Sequence, residues 1–155
     1  MSYYKVGCNW GTGAPDFFEM LKEHSIVICN TLKLKKGDYV AIAQGYTIVA
    51  LAQATSEKVS CTSRPELKEE FEKYSIDYKD DNCIVDAKIW ELDNSHRFEY
   101  NSRRGIVKIQ NETIQKKIHS LIATLTHINN EMIENFCRIL EGNHNLILTG
   151  APGTG

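Results

Sequence analysis

The residue pattern with the clearest chemistry lies at the end of the chain. Gly150 and Gly155 are separated by four residues and follow residues 145–149, an apolar run that predicts a short buried strand. A strand followed by GxxxxG fits the first six positions of the phosphate-binding loop GxxxxGK[ST], whose backbone N–H groups point at a phosphate. A flexible glycine-rich tail is the alternative, but it does not account for the strand. The predicted phosphate-binding positions are Gly150, Pro152, Gly153, Thr154 and Gly155.

Two groups that complete such a loop would follow Gly155. They are the lysine that reaches the β and γ phosphates and the hydroxyl residue that holds magnesium. Without them the loop is expected to be inert. The sequence therefore predicts no catalytic residue and no bound cofactor in this fragment.

Composition and charge limit the class of protein. With 155 residues, 42% of them apolar and 25% charged, the chain is typical of about one globular domain and not of a disordered or disulfide-dense protein. The formal net charge of −2 argues against a broad basic surface that binds duplex DNA mainly through its phosphates. Residues 46–54, the most apolar stretch, are far fewer than the ~20 that a membrane helix needs. No secretory signal is visible, so we expect a cytoplasmic protein without a membrane partner.

The five cysteines and five histidines predict no metal site. The cysteines are scattered, odd in number and never in a CxxC pair, so neither a zinc ribbon nor a disulfide framework is indicated. They are interpreted as reduced, small hydrophobic residues. No histidine has metal-ligand spacing to a cysteine or an aspartate.

The elements that must position any site are strands in the first hundred or so residues, with two helices among them. Strands are predicted at residues 3–8, 39–43, 47–52, 83–92, 96–100 and 105–109, from their apolar, β-branched and aromatic content and the turns between them. A helix is predicted to begin near Pro15, with an apolar stripe that continues toward residue 28. Ser63 and Glu66 have the spacing of a capping box, which predicts a short charged helix up to about residue 74.

A long helix is predicted next. Asn111 is a good N-cap, and apolar residues then recur every three or four positions up to Glu141. At 1.5 Å per residue this helix would be ~45 Å long, unless Asn129 and Asn130 divide it. Packing against its own domain or a neighbour is favoured over a free coiled coil, since fewer than four clean heptads are present. Gly142 is expected to end the helix.

The last residues, NLILTGAPGTG at 145–155, resemble the Walker A segment of AAA+ ATPases, in which a strand is usually followed by the sequence GxPGTGKT. The helix that ends at Glu141 would be the lead-in helix of that family. The preceding part resembles the variable N-terminal domain of a methyl-directed, McrB-like restriction motor. This resemblance implies that the full-length protein hydrolyses ATP or GTP with magnesium and assembles as an AAA+ ring. It also implies DNA, methylated DNA included, as a partner, with a nuclease subunit as a candidate.

The N-terminal pattern also resembles the EVE, YTH and PUA-like barrels. The matching features are the first strand, the sequence Asn9-Trp10-Gly11, a helix with paired phenylalanines, and a turn at residues 36–38 that opens a strand pair. The implied fold class is α+β, with a small PUA-like mixed β-barrel and flanking helices at residues 1–110. A helical linker at 111–141 follows, and then the first strand and truncated loop of an AAA+ domain at 142–155.

Barrels of this kind use an aromatic cage to hold a modified or flipped-out base, and the resemblance makes Trp10 the best candidate for one wall. Stacking on one ring contributes about 1–3 kcal/mol and extracting a base costs a few kcal/mol, so a second wall is needed. Phe17, Tyr46 and Trp90 are the candidates for it, and Asn9 is a candidate to bond the base edge. The alternatives are structural: both tryptophans more often pack in a core, Trp90 above all, and Asn9 could cap its own turn.

Basic residues on the predicted turns are candidates to hold the phosphates beside the base. They are Lys35, Lys36, Arg103 and Arg104. Isolated basic residues on turns are, however, more often solvated charges.

Together these features predict the N-terminal DNA-recognition domain of an AAA+ restriction-type protein, which reads a modified or flipped base through an aromatic pocket. Two alternatives stay open. One is a protein-interaction adaptor, in which the acidic charge keeps the domain off phosphates. The other is a binder of RNA or of modified nucleotides. The position of Trp10 distinguishes reader from adaptor, since a base reader exposes this ring in a pocket and an adaptor can bury it.

Overall fold

The computed structural model describes residues 1–10, 13–30, 33–102 and 104–142. The chain divides into two units, Met1–His119 and a second one that begins at Ser120. The fold is mixed α+β, with a curled, half-barrel sheet in the first unit. The predicted strand at 145–149 and the phosphate-binding loop lie outside the described residues.

Eight strands and three α-helices follow one another along the described chain. In order they are β1 (Tyr3–Gly7), α1 (Phe18–His24), β2 (Ile26–Ile28), β3 (Tyr39–Gln44), β4 (Thr47–Ala54), β5 (Val59–Ser60), α2 (Lys68–Lys73), β6 (Cys83–Glu91), β7 (Phe98–Glu99), β8 (Ile106–Lys108) and α3 (Glu112–Gly142). Two short 3-10 turns, Cys61–Ser63 and Pro65–Leu67, precede α2.

The sheet has the strand order β2-β6-β4-β3-β1-β8, with β5 paired to β6 and β7 paired to β4. The β1–β3 pair is parallel, and each of the other pairs is antiparallel. Because β1 and β3 run in the same direction, both of their carboxyl ends lie at one edge of the sheet. The tight turn Gly45–Tyr46 between β3 and β4 therefore lies beside the residues that follow Gly7.

Side chains on both faces of the sheet are buried. Tyr4 and Val6 of β1 belong to the main apolar core, together with residues of α1 and α2. The row on the opposite face is Lys5, Ala41, Leu51 and Trp90, which pair in register across β1, β3, β4 and β6 and are all buried. On that face Tyr39 contacts His119 of α3, with ring centroids 6.1 Å apart. The strands are therefore apolar on both faces, which makes the charge of Lys5 exceptional.

The six predicted strands are confirmed, although the last two are shorter than expected. The hairpin of β3 and β4 turns at Gly45, whose φ of +62° is a conformation that glycine adopts without strain. The expected helical stripe up to residue 28 is wrong. Helix α1 begins only at Phe18, whose N–H donates to Asp16 Oδ1 (2.8 Å), and it ends where Ser25 adopts the left-handed conformation. Residues 26–28 then form strand β2, because this β-branched run pairs with β6.

The predicted capping box at Ser63 and Glu66 is also wrong. The Ser63 hydroxyl donates to the carbonyl oxygen of Ser60, and the Glu66 carboxylate binds the Arg64 guanidinium at 2.7 Å. The Ser60 hydroxyl instead accepts the N–H of Thr62. The segment therefore starts as 3-10 turns, and α2 is limited to Lys68–Lys73.

The prediction for α3 is confirmed. Asn111 Oδ1 accepts the N–H of Ile114 at 3.1 Å, as an N-cap does, and the helix continues without a break through Asn129 and Asn130 to Gly142. Within the second unit, large apolar side chains on this helix are exposed: Ile128, Met132, Ile133, Phe136 and Ile139. None of the helices in the described part of the chain combines the length and apolar character that crossing a bilayer requires.

Candidate functional site

The candidate site is the edge of the sheet where β1 ends, which we call the β1 edge. It comprises Asn9, Trp10, Gly45, Tyr46 and Gly105. Gly7 N–H donates to the carbonyl oxygen of Gly105 (2.6 Å) and Cys8 N–H to that of Ala43 (2.9 Å), so the chain stays tied to both neighbouring strands before it leaves the sheet.

Trp10 is half-buried and held from two sides. Its ring meets Phe17 edge-on, with centroids 5.0 Å apart and an interplanar angle of 77°. Phe17 is only 1% exposed, so it supports Trp10 from within the core and offers no free face to a ligand. On the other side, a methyl group added at Gly105 would lie 3.5 Å from Trp10 Cδ1. The indole therefore lies against backbone at Gly105 and has a defined orientation.

Trp10 lines a first cavity of about 350 Å³. The other lining residues are Asn30, Ser75, Asp77, Lys79, Asp81 and Asn82. Asn30 follows β2 and Asn82 precedes β6, and the antiparallel pairing of Ile28 with Ile84 places these two residues at one edge. A cavity of this volume lies at the lower end of the range for small-molecule pockets.

The first cavity is rich in hydrogen-bond acceptors. Lys79 Nζ lies 2.9 Å from Asp77 and 3.8 Å from Asp81, and these carboxylates, Asp77 most strongly, raise the pKa of Lys79. Asn82 is 3% exposed and its amide N–H donates to the carbonyl oxygen of Asp77 (2.7 Å). Its Oδ1 is buried and has no hydrogen-bond partner among the described residues. With two aspartates against one lysine, the lining suits a ligand that donates hydrogen bonds.

A second cavity, of about 280 Å³, lies at the β1 edge. It is lined by Lys5, Gly7, Asn9, Gly45, Tyr46, Ser102 and Gly105. Lys5 is 2% exposed, and its Nζ donates to the carbonyl oxygens of Ser102 (2.9 Å) and Arg104 (3.4 Å). Desolvation by burial lowers the pKa of Lys5. Gly105 lines this cavity, and a methyl group added there would lie 3.5 Å from Trp10, so the two cavities have lining residues close to each other.

The five predicted pocket residues divide into three places. Trp10 and Phe17 contact each other. The second place is the second cavity, which Asn9 and Tyr46 line. The third is strand β6, where Trp90 lies opposite Leu51. Trp90 is 6% exposed, and Lys88 Nζ lies 5.2 Å from its ring centroid. It is buried although Lys88, two residues earlier on the same strand, is exposed.

The predicted phosphate contacts lie at two ends of the sheet. Lys35 and Lys36 are exposed on the turn before β3, beside the amino end of β1. The five residues of β1, at about 3.3 Å each, separate them from Trp10. Arg104 is exposed directly before Gly105, so it lies at the same end of the sheet as Trp10. Arg103 lies outside the described residues.

Sequence reasoning missed Lys5 and the loop of residues 75–82. The signal for Lys5 was available, because a lysine between Tyr4 and Val6 interrupts a run that is otherwise apolar. The loop gave no such signal. Its acidic residues resemble an ordinary solvated turn until the pairing of β2 with β6 brings them toward Trp10.

The described side chains offer an aromatic ring, hydrogen-bond acceptors and a buried ammonium group to a ligand. In the described part of the chain, no group of three or more histidine, cysteine, aspartate or glutamate side chains is arranged to hold a metal ion. Burial raises the pKa of the Cys8 thiol and raises that of Cys29 to about 12, which disfavours the thiolate that a nucleophile needs. The chain matches no protein-family model and no curated protein.

Proposed function

We propose that the first unit is a nucleic-acid recognition domain with a PUA-like fold, which reads a modified or flipped-out base and belongs to an AAA+ protein of the McrB-like kind. The observation that carries this proposal is Trp10. Its side chain is half-buried, lines a cavity of about 350 Å³, and is held by Phe17 and by the backbone at Gly105.

A held ring of this kind suits base stacking. Its orientation is set before a ligand arrives, so little conformational entropy is lost on binding, and stacking is worth about 1–3 kcal/mol per base. Phe17 contributes by positioning Trp10 and not as a second wall. The remaining free energy needed to hold an extruded base must come from polar contacts on the other side of the cavity.

The polar contacts of the first cavity favour a base that carries an amino group. Asp77, Asp81 and the unpartnered Oδ1 of Asn82 accept hydrogen bonds. The exocyclic N4 of cytosine and N6 of adenine are the base donors that such oxygens accept. A methyl group on the cytosine ring leaves that amino group in place, so a methylated cytosine remains compatible with the lining.

The PUA-like assignment is supported by the order of the elements. The features on which the resemblance to PUA-like barrels rests occur in the same order on a curled mixed sheet. They are a first strand, a helix with paired phenylalanines, the turn at residues 36–38 and the β3–β4 hairpin. The AAA+ assignment is supported by the sequence of residues 145–155 and by helix α3, which precedes them in the chain. A lysine and then a threonine or serine directly after Gly155 would complete the loop, and other residues there would sink this part of the proposal alone.

Substitution of Trp10 tests the base-reading role. We expect wild type to distinguish duplexes with and without a methylated cytosine, and Trp10→Ala to lose about 5- to 150-fold in affinity for the preferred one. Trp10→Phe keeps an aromatic face and should lose less. Both are measured by titration with labelled duplexes, and a thermal melt of each variant accompanies the titration.

Trp90→Phe is the matched control, because Trp90 is buried away from both cavities. This variant should melt at a lower temperature and still bind like wild type. A Trp10→Ala protein that binds both duplexes as wild type does would end the base-reading role of Trp10. A loss of about 3–5 kcal/mol in its unfolding free energy would mark Trp10 as a core residue. Binding of RNA alone would move the proposal to an RNA reader, and no binding of nucleic acid would favour the adaptor.

A further inference from the structure

Lys5 is the most unusual charge in the described part of the chain. Lysine is almost never fully buried unless it is paired, yet Lys5 is 2% exposed in the middle of β1. Its neighbours across the sheet, Ala41 on β3 and Val107 on β8, are apolar.

The partners of Lys5 accept hydrogen bonds from its ammonium group, but they are neutral and leave the positive charge uncompensated. The ammonium group has three donors, and the carbonyl oxygens of Ser102 and Arg104 accept from it at 2.9 and 3.4 Å. Among the described residues, no carboxylate lies within ion-pair distance of Lys5 Nζ. A buried charge without a counter-ion is strongly unfavourable, and desolvation accordingly lowers the pKa of Lys5.

The cavity at Lys5 has room for the missing counter-ion. It measures about 280 Å³, and Lys5 is the one charged residue among its described lining residues. Three further lining residues are glycines, Gly7, Gly45 and Gly105, which leave the backbone open to close approach. Asn9 and Tyr46 add neutral polar side chains at the same cavity.

We propose that this second cavity is an anion site, and that it takes a phosphate group of the strand whose base lies against Trp10. The inference rests on the proposed function. Its geometric basis is Gly105, which lines the second cavity and at which an added methyl group would lie 3.5 Å from Trp10 Cδ1. A base in the first cavity and a phosphate in the second would then both lie close to Gly105 and Trp10.

The phosphate contact is tested with a neutral linkage. Duplexes are prepared in which a single methylphosphonate replaces each phosphate that flanks the recognised base in turn. At one position we expect wild type to lose about 10- to 100-fold in affinity, as for a hydrogen bond to a charged group. Lys5→Met keeps the length of the side chain and removes the charge, so it should bind all these duplexes equally and weakly.

Asn9→Asp is the second variant, because Lys5 also binds the backbone of Ser102 and Arg104 and its replacement could unfold the edge. The new carboxylate would line the same cavity and supply the counter-ion from within the chain. We expect this variant to melt no lower than wild type and to lose the methylphosphonate effect. Retention of the full effect in Asn9→Asp or in a folded Lys5→Met would overturn the proposal.

A thermal-shift experiment distinguishes free phosphate from a strand phosphate as the ligand. It measures the melting temperature with inorganic phosphate and with deoxycytidine monophosphate. Stabilisation by either compound in wild type, absent from Lys5→Met, supports the anion site. Such stabilisation without any methylphosphonate effect overturns the assignment to the strand. Loss of binding in Trp10→Ala together with no effect of any neutral linkage would leave the proposed function standing and refute the assignment of the anion site to a strand phosphate. If wild type binds no nucleic acid, the thermal-shift experiment with these two compounds still decides for or against the anion site.

Discussion

At the scale of single residues, Lys5 and Trp10 show how a sheet edge becomes a candidate site. Trp10 lines one cavity and is held there by Phe17 and by the backbone at Gly105. Lys5 keeps a charge beside the next cavity because two backbone carbonyls hold its ammonium group. Each side chain is fixed by contacts that leave part of its binding capacity unused, which is the arrangement expected where a ligand completes the contacts.

The cysteines give a prediction about chemical reactivity. Cys8, Cys29 and Cys61 are buried, and burial raises the pKa of each thiol, that of Cys29 to about 12. The thiolate is the reactive form, so these three should react with a thiol reagent at neutral pH only after unfolding. Cys137 is exposed on α3 and should react first.

Counting modified thiols in the native and the unfolded protein measures this, with half-buried Cys83 expected to react at an intermediate rate. Cys137→Ser should remove the fast phase and leave the slow ones unchanged. Rapid native modification of Cys8 or Cys29 would contradict the burial on which the prediction depends.

At the scale of elements, the turn at residues 35–38 ties the start of β3 to the start of the chain. Asp38 is 7% exposed, and its carboxylate accepts the N–H of Ser2 (2.6 Å) and of Lys35 (3.1 Å). Gly37 has a φ of +89°, so the turn also needs glycine there.

Replacing Asp38 should therefore destabilise the domain. Asp38→Ala leaves two backbone donors without their acceptor, and we expect a loss of about 1–3 kcal/mol in unfolding free energy. Asp38→Asn keeps one oxygen acceptor and should lose less. Urea denaturation measures both, with Lys36→Ala, an exposed neighbour on the same turn, as a control that stays within about 0.5 kcal/mol of wild type. Equal stability of Asp38→Ala and wild type would show that the carboxylate does not hold the turn.

At the scale of the whole molecule, the distribution of charge predicts a weak dependence of DNA binding on salt. The formal net charge is −2, and the candidate basic residues lie at opposite ends of β1, with Arg104 alone of the described predicted contacts at the β1 edge. Binding through a pocket then involves roughly two to four phosphates. The slope of log affinity against log salt should lie between about −2 and −4.

Two variants sharpen this measurement. Arg104→Ala should reduce the steepness of the slope by about 1, as expected for one lost phosphate contact, whereas Lys35→Ala, at the far end of β1, should leave the slope unchanged. A slope near −8 for wild type would show that a broad surface and not the pocket dominates binding, and an effect of Lys35→Ala alone would place the strand at the other end of the sheet.

Elements with local signals in the sequence were predicted correctly. The β3–β4 hairpin is encoded by two apolar runs on either side of Gly45, and α3 by the Asn111 cap and a period of three to four residues. Each of these signals lies within one short window. The spacing of apolar residues and the turn or cap within that window are sufficient to indicate such elements, whichever residues elsewhere in the chain cover them.

Tertiary structure alone decided where the cavities are. Residues 26–28 continue a helical stripe in the sequence, yet they form β2 because β6, more than fifty residues later, offers a partner edge. The same pairing brings Asn30 and Asn82 to one cavity, and the parallel β1–β3 pair places Asn9 and Trp10 beside Gly45. The free energy that selects these pairings comes from burying surfaces of residues far apart in sequence. No short window contains both partners, so neither the cavity beside Trp10 nor the buried charge of Lys5 exists until the sheet has formed.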